Sequence, residues 1–258
     1  MSKPLHTLGA LILALATTTT WAAGAGICTL EPGVLKVAIA NTFPPVVMTD
    51  GKGKPGGTDI EFLTRFASEN KLAVEWVTVP FEGIWKYAAN DQVDISANGI
   101  SPLPSRKTPG MHFSEPYIHV KRTLIIRKAD AARLRTIKDF GGKTIGYVAG
   151  AIPELDLKKR ALKSTTLVDM KSFADGIDAL RKGQIDAIGE GDITSNYFVK
   201  DNPDLAVVDS HEYDPKSPET LTFAIRNKGC ELSARLNNFI RTRAYPSGQV
   251  KAGKSRSG

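Results

Sequence analysis

The segment "ISANGISPLPSRKTPGMHFSEPY", residues 95–117, governs the interpretation of this chain of 258 residues. It begins as an apolar run, which is typical of a buried strand, and the run breaks at Gly99. A proline-stiffened loop, residues 101–105, then leads to Arg106. A planar guanidinium can bind a carboxylate through two parallel hydrogen bonds, so Arg106 is a candidate ligand-binding residue. The alternative is an arginine in an ordinary surface turn.

Strands and helices alternate before this segment. Residues 34–40 and 72–79 are typical of strands, and residues 58–71 of a helix whose apolar side chains share one face. Thr58 and Glu61 match a capping box, which predicts that the Thr58 side chain caps this helix.

The second half repeats the alternation, with three strands and two helices predicted within residues 143–190. Such alternation is typical of parallel sheets, whose ligands bind at the carboxyl ends of strands. "QVDISANG", residues 92–99, also matches "QIDAIGEG", residues 184–191, in outline. This internal similarity indicates two α/β lobes of similar plan, with coincidence as the alternative.

Residues 1–25 are predicted to be a signal peptide. Lys3 provides a positive start, and the apolar run 8–16, followed by small residues, is too short to span a bilayer as a mature helix. We therefore expect a soluble periplasmic protein in an oxidising compartment. There Cys28 and Cys230 can form one pairing, from the mature N-terminus to the start of the last helix; two unpaired thiols are the alternative.

Composition excludes several classes of function. The formal net charge is +7, but the basic residues are scattered and form no stripe interleaved with aromatics, so no nucleic-acid partner is expected. No metal-ligand spacing and no nucleophile motif occurs, so we expect no metal, no cofactor and no enzymatic activity. Residues 249–258 form a basic tail whose composition is typical of disorder.

The chain resembles the extracellular solute-binding proteins of amino-acid transporters (family 3, with the periplasmic binding protein type 2 fold) over about residues 33–248. The resemblance rests on the order of "GVLKVAIANTFPPVVMTDGKGKPGGTDIEFLTRFA", "VDISANGISPLPSR", "HFSEPY", "GKTIGYVAG" and "GQIDAIGEGD". It implies an α/β protein of two lobes, joined by a hinge of two crossover strands, with a ligand cleft between them. The first lobe would comprise residues 26–119 and 216–248, and the second residues 120–215.

The resemblance also implies ligand-binding residues in the first lobe. Arg106 matches the arginine that clamps the α-carboxylate of the ligand. The other matching positions are two aromatic residues that pack on the ligand and a strand-end segment that contacts it: Phe43 and Phe81, then Asn98, Gly99 and Ser101. The alternatives are core positions for the two aromatic residues and a local side-chain-to-backbone bond for Ser101.

The second lobe departs from the family pattern at two places. Where the family has a Gly-Thr-Thr-like loop that holds the carboxylate, this chain has residues 150–153, so Gly150 and the amide of Ile152 are the remaining candidates. The acid expected to pair with the ligand ammonium would fall on Gly191, between two acids. We expect Asp192 to take that role, with an N-cap of the following helix as the alternative. A third departure is the absence of the usual final helix of the family.

These features predict the periplasmic substrate-binding component of an ABC transporter. It would act as a monomer, capture a small zwitterionic solute (an amino acid or a derivative) by closure of the lobes, and dock on a permease of the inner membrane. One alternative is a cyclohexadienyl or arogenate dehydratase-like enzyme on the same scaffold, with Glu154 as general acid. Another is a sensory binding protein with a degenerate cleft.

Overall fold

The computed structural model describes residues 26–40, 42–210 and 219–243; the predicted signal peptide and basic tail lie outside them. The strands are β1 (Val34–Ile39), β2 (Met48–Thr49), β3 (Pro55–Gly56), β4 (Ala73–Thr78), β5 (Ile95–Ile100), β6 (Met111–Phe113), β7 (Ile118–Val120), β8 (Arg122–Arg127), β9 (Thr144–Val148), β10 (Thr166–Met170), β11 (Ala187–Gly191), β12 (Leu205–Asp209) and β13 (Glu219–Arg226). The helices are α1 (Thr58–Glu69), α2 (Trp85–Ala89), α3 (Ile152–Arg160), α4 (Phe173–Arg181), α5 (Asp192–Lys200) and α6 (Leu232–Arg243).

Two large sheets of the same plan dominate the described residues, and β2 and β3 form a separate two-stranded antiparallel sheet. The first has the order β4-β1-β5-β13-β6, with β7 also paired to β13, and the second has the order β10-β9-β11-β8-β12. In each, three parallel strands are followed by one antiparallel strand, β13 in the first sheet and β8 in the second. The predicted two-lobed α/β fold is confirmed.

The internal similarity marks equivalent positions in the two sheets. In the first sheet the Asp94 N–H donates to the carbonyl of Lys36 (2.9 Å), and the Asp94 carboxylate accepts from the Lys36 N–H (3.0 Å). In the second, Asp186 makes the same pair of bonds with Thr144, at 2.8 and 2.9 Å. Each aspartate therefore fixes the start of a central strand against its parallel neighbour.

The chain crosses between the sheets twice. Val120 still pairs in the first sheet, and Arg122 already pairs in the second. The return leads from β12 to β13 through residues 211–218, which lie outside the described residues. We call the first crossing, residues 120–122, the hinge; the exact lobe boundaries given above remain predictions.

Helix α1 starts differently from the prediction. Gly57 is the N-cap residue, no side chain caps the helix, and the buried hydroxyl of Thr58 has no hydrogen-bond partner, so the Thr58–Glu61 capping box was wrong. The Thr58 N–H instead donates to the carbonyl of Pro45 (3.0 Å). Gly57 has a φ of 107°, and a Cβ there would lie 2.5 Å from that carbonyl oxygen, so close packing of the backbone decides this end.

A disulfide joins Cys28 to Cys230, with an S–S distance of 2.06 Å and a Cα–Cα distance of 5.2 Å. The predicted pairing is therefore present, and it attaches the N-terminal segment just before α6. Arg226 reinforces this attachment, since its Nη2 donates to the carbonyl of Cys28 (2.6 Å). Over the part of the chain that the structure describes, no helix is long and apolar enough to cross a bilayer.

Candidate ligand-binding site

Arg106 lies in a 3₁₀ turn just beyond the carboxyl end of β5 and is 8% exposed. Its Nη1 donates to the carbonyl of Ser101 (3.1 Å), and its guanidinium carbon lies 5.6 Å from the ring centroid of Phe81 and 5.1 Å from that of Trp85. Burial lowers the pKa of Arg106, while the charge of Glu219 raises it. Within the described ranges no carboxylate lies at salt-bridge distance from Arg106, so further N–H donors remain for an anion.

The strand-end residues are held mainly by the protein itself. The Asn98 side chain is buried, accepts from the Ala40 N–H (3.1 Å) and donates to the Thr42 hydroxyl (3.2 Å). The Gly99 N–H donates to the buried carboxylate of Asp59 (3.1 Å). Asn98 and Gly99 therefore shape the end of β5, and these polar groups are already used inside the protein.

The two predicted aromatic residues lie in different segments, Phe43 in the turn before β2 and Phe81 in the turn before α2. Phe43 belongs to a tight turn in which its N–H donates to the carbonyl of Val47 (3.1 Å). Its ring covers Gly99 so closely that a Cβ there would lie 2.4 Å from Cε1. Phe81 is partly buried beside Trp85, which sequence reasoning missed. Trp85 begins α2 and Phe81 lies in the turn before it, so no helical spacing signalled that the two rings would lie together.

The loop before α3 already holds a carboxylate. The Gly150 N–H donates to Glu154 Oε2 (2.7 Å), and Ile152 begins the helix. Glu154 also pairs with Lys158, and the hydrogen bonds from Lys158 and from Gly150 lower the pKa of Glu154. Of the two predicted amides here, that of Gly150 is therefore taken by a side chain of the protein.

Asp192 is the first residue of α5 and lies against the hinge. Its N–H donates to the carbonyl of Lys121 (2.9 Å), and its Oδ1 accepts from the Lys121 N–H (3.0 Å). The residue preceding the helix is Gly191, and no side chain caps the helix. Burial raises the pKa of Asp192. Asp192 thus connects the hinge to the second sheet, which the N-cap alternative did not predict.

The charge of Arg122 at the hinge acts on three carboxylates, those of Glu190, Asp192 and Glu219, and opposes the rise in the pKa of each; we call them the hinge acids. Arg122 Nη2 lies 2.7 Å from Glu219 Oε1, and these side chains are 10% and 20% exposed. Burial raises the pKa of Glu219 to about 7, and the charge of Arg122 opposes this, whereas Asp156 and the other hinge acids raise it further. Burial also raises the pKa of Glu190. Sequence reasoning named neither Arg122 nor Glu219.

Helix α5 of the second sheet contacts the turn that carries Phe43. Ile193 packs in the core of the first sheet. The Thr194 hydroxyl donates to the carbonyl of Pro44 (3.4 Å), and the Tyr197 hydroxyl lies 3.9 Å from Met48 Sδ. Across the described ranges, no group of three or more His, Cys, Asp or Glu side chains could hold a metal ion.

Two sheets of one plan, between which the chain crosses twice, and a buried arginine beyond the end of a central strand define a two-lobed binding protein of the periplasmic type 2 fold. The chain belongs to the bacterial extracellular solute-binding proteins, family 3, whose model matches residues 35–242.

Curated relatives carry the names of amino-acid-binding proteins. A probable histidine-binding protein of Campylobacter jejuni is 27% identical over 66% of this chain and 65% of its own length. The arginine-binding extracellular protein ArtP of Bacillus subtilis is 26% identical over 72% of this chain and 71% of its own. The L-cystine-binding protein TcyJ of Escherichia coli is 24% identical over 81% and 77%.

Solved structures show the same likeness. An ancestral cationic amino acid solute-binding protein superposes with a TM-score of 0.71 and 25% identity, over 81% of this chain and 89% of that one. An amino acid ABC transporter substrate-binding protein of Streptococcus pneumoniae, bound to L-arginine, has a TM-score of 0.67 and 28% identity, over 81% and 88%.

Proposed function

We propose that this protein is the substrate-binding component of an ABC transporter and captures an amino acid or a derivative between its lobes. The observation that carries the proposal is Arg106, buried between two aromatic rings with no carboxylate partner among the described residues. A buried charge without a partner is costly, and the α-carboxylate of a ligand supplies that partner. We assign the ligand ammonium to Asp192, whose Oδ1 is fixed by the hinge.

The hinge acids favour a ligand with a second positive charge. Three carboxylates share one arginine, Arg122, and the pKa of each of the three is raised. A cationic side chain would stabilise their ionised forms, whereas a neutral side chain would leave them strained by mutual repulsion. Two relatives are named as histidine-binding and arginine-binding proteins, and both of these amino acids have basic side chains, which supports this preference.

The same proposal gives the protein its place in the cell. The predicted signal peptide and the description of the family as extracellular support a periplasmic location. The contacts of α5 with the turn at Pro44 support closure of the lobes about the hinge. The closed monomer would then deliver its ligand to a permease of the inner membrane.

Ligand binding tests the proposal directly. We would measure thermal unfolding and calorimetric binding with L-arginine, L-histidine, L-cystine and L-glutamate. A ligand at a hundred times its Kd adds about 2.7 kcal/mol of stability. We expect a cationic amino acid to give such a shift, Arg106→Ala to abolish it, and Arg106→Lys to weaken it because the fork of parallel donors is lost.

Arg65→Ala is the matched control, since Arg65 is an exposed arginine on α1 that pairs only with Glu69 among the ion pairs of the described residues. It should bind like the unchanged protein. The proposal is wrong if no amino acid binds, and the clamp assignment is wrong if Arg106→Ala binds with unchanged affinity.

A dehydratase is the second candidate, because one similar structure is described as a precursor of cyclohexadienyl dehydratase. The state of Glu154 argues against it. A general acid needs a raised pKa to hold its proton near neutral pH, whereas the contacts of Glu154 with Lys158 and Gly150 lower its pKa. Consumption of prephenate or arogenate by the purified protein, lost in Glu154→Gln, would establish the enzyme instead.

A further inference from the structure

Asp59 is a fully buried carboxylate in the first turn of α1. Its Oδ1 accepts from the Tyr117 hydroxyl (2.5 Å) and its Oδ2 from the Gly99 N–H (3.1 Å). The backbone N–H of Asn98 also stabilises its charged form. Within the described residues no cationic side chain lies at salt-bridge distance, so neutral donors alone hold this carboxylate.

The groups that Asp59 holds are those that carry the candidate site. Gly99 lies two residues before the carbonyl that accepts from Arg106. The backbone N–H of Asp59 donates to the carbonyl of Val46 (3.0 Å), in the same turn as Phe43. Two of the first-lobe segments that line the candidate site, the end of β5 and the turn of Phe43, are therefore attached to this one residue.

Tyr117 connects the same carboxylate to the hinge. Its ring is 4% exposed and stacks on Phe223, with 4.2 Å between the ring centroids. Its N–H donates to the carbonyl of Leu221 (3.1 Å), and the next residue begins β7, which runs into the first hinge crossing. Asp59 thus has one partner at the end of β5 and one at the start of the hinge strand.

The chemistry of the site requires an acceptor. A buried carboxylate without a cation destabilises the fold, and burial raises the pKa of Asp59 to about 7. An ionised carboxylate only accepts hydrogen bonds, whereas an amide of the same shape must present an N–H₂ group to the Gly99 N–H or the Tyr117 hydroxyl. An amide would therefore relieve the cost of burial. At the same time it would either lose the Gly99 N–H or turn the Tyr117 hydroxyl from a donor into an acceptor, which leaves the hydroxyl hydrogen without its present partner.

We propose that Asp59 and Tyr117 form a positioning pair that fixes residues 98–101, and through them Arg106, for ligand binding. This role rests on the ligand-binding function proposed above. It assigns no ligand contact to either residue, because both act through the backbone of the β5 end.

Two variants separate positioning from folding. Asp59→Asn keeps the shape of the side chain and replaces one of its two acceptor oxygens by a donor, and Tyr117→Phe removes a single hydroxyl. We would measure hydrogen–deuterium exchange of a peptide covering residues 95–106, unfolding by urea, and calorimetric binding of L-arginine. Asp186→Asn is the matched control, since its carboxylate also accepts from a backbone N–H, at 2.9 Å from Thr144 in the second sheet.

In both variants we expect faster exchange in residues 95–106 and L-arginine binding weakened about tenfold, the cost of one charge-assisted hydrogen bond. Asp59→Asn should not lose stability at about pH 8, because the buried charge is gone. Unchanged exchange in the folded variants overturns the proposal, as does faster exchange with unchanged affinity. If the unchanged protein binds no amino acid, the proposed function fails, while the exchange data alone still decide whether the pair holds the segment.

Discussion

Two aspartates in equivalent strand positions differ in burial and in the arginine that each contacts. Asp94 is fully buried, accepts from the Leu30 N–H (2.9 Å), and accepts from Arg226 Nε at 2.8 Å. The side chain of Asp186 is 26% exposed, and the nearest nitrogen of Arg127 lies at 3.4 Å. Because the Asp94–Arg226 pair is buried and the other carboxylate near Arg226, that of Asp91, lies at 3.9 Å, removal of Asp94 leaves the buried charge of Arg226 poorly compensated.

We therefore predict that Asp94→Ala lowers the free energy of unfolding by about 3–5 kcal/mol, the cost typical of a broken buried ion pair. Asp186→Ala should cost clearly less, because Arg127 keeps its hydrogen bonds to Asp130 and to two backbone carbonyls. Urea denaturation followed by circular dichroism measures both. Equal losses in the two variants would contradict this assignment.

At the scale of elements, features that depend on the local sequence pattern were predicted better than features that depend on contacts between distant residues. The apolar spacing of α1 correctly placed Leu63 and Phe66 in the core, because burial of one helical face follows from the sequence period alone. The N-cap could not be predicted in this way, because the first N–H of the helix donates to the carbonyl of Pro45, which lies outside the helical sequence pattern. The hinge pair of Arg122 and Glu219 lies 97 residues apart in sequence, so no local signal existed for it.

The candidate site shows the same division. The end of a buried strand and a stiffened loop pointed to Arg106, and the structure buries that residue against Phe81. The partners of Asn98 and Gly99 could not be predicted from the sequence, because they come from the segment after β1 and from α1. The role of Asp59 could not be predicted from the sequence either, because an acid in the first turn of a helix usually interacts only with the helix dipole.

The disulfide is the strongest connection between the N-terminal segment and α6. It joins residues 202 positions apart, so its loss frees almost the whole described chain from one covalent constraint. We predict that the double substitution Cys28→Ser with Cys230→Ser lowers the free energy of unfolding by about 2–4 kcal/mol. Urea unfolding of the variant should match that of the unchanged protein under dithiothreitol. Equal stability with and without reductant would show that the bond contributes nothing.

At the scale of the whole molecule, the acidic side chains fall into two groups whose pKa values are shifted in opposite directions. Exposed acids with hydrogen bonds or cationic neighbours, such as Asp139 and Asp204, have lowered pKa values and add stability only as the pH rises through the acid range. Buried acids near the candidate site and the hinge have raised pKa values, to about 7 for both Asp59 and Glu219. The native state therefore binds more protons than the unfolded state between about pH 4.5 and pH 7.

This sign predicts that the unliganded protein loses stability as the pH rises from about 5 to about 7 and changes little above that. Glu219→Gln should flatten the loss, because it removes one of the groups that bind a proton only in the native state and keeps an acceptor for Arg122. Glu115→Gln is the control, since Glu115 is an exposed acid that pairs with Arg241 on the surface, and it should leave the profile unchanged. The measurement is urea unfolding at several pH values across this window.

A cationic amino acid should reduce the loss in the unchanged protein, since a positive charge at the hinge acids favours their ionised forms. Stability that rises through this window would show that the hinge acids are ionised at low pH and would remove the electrostatic basis for a cationic ligand.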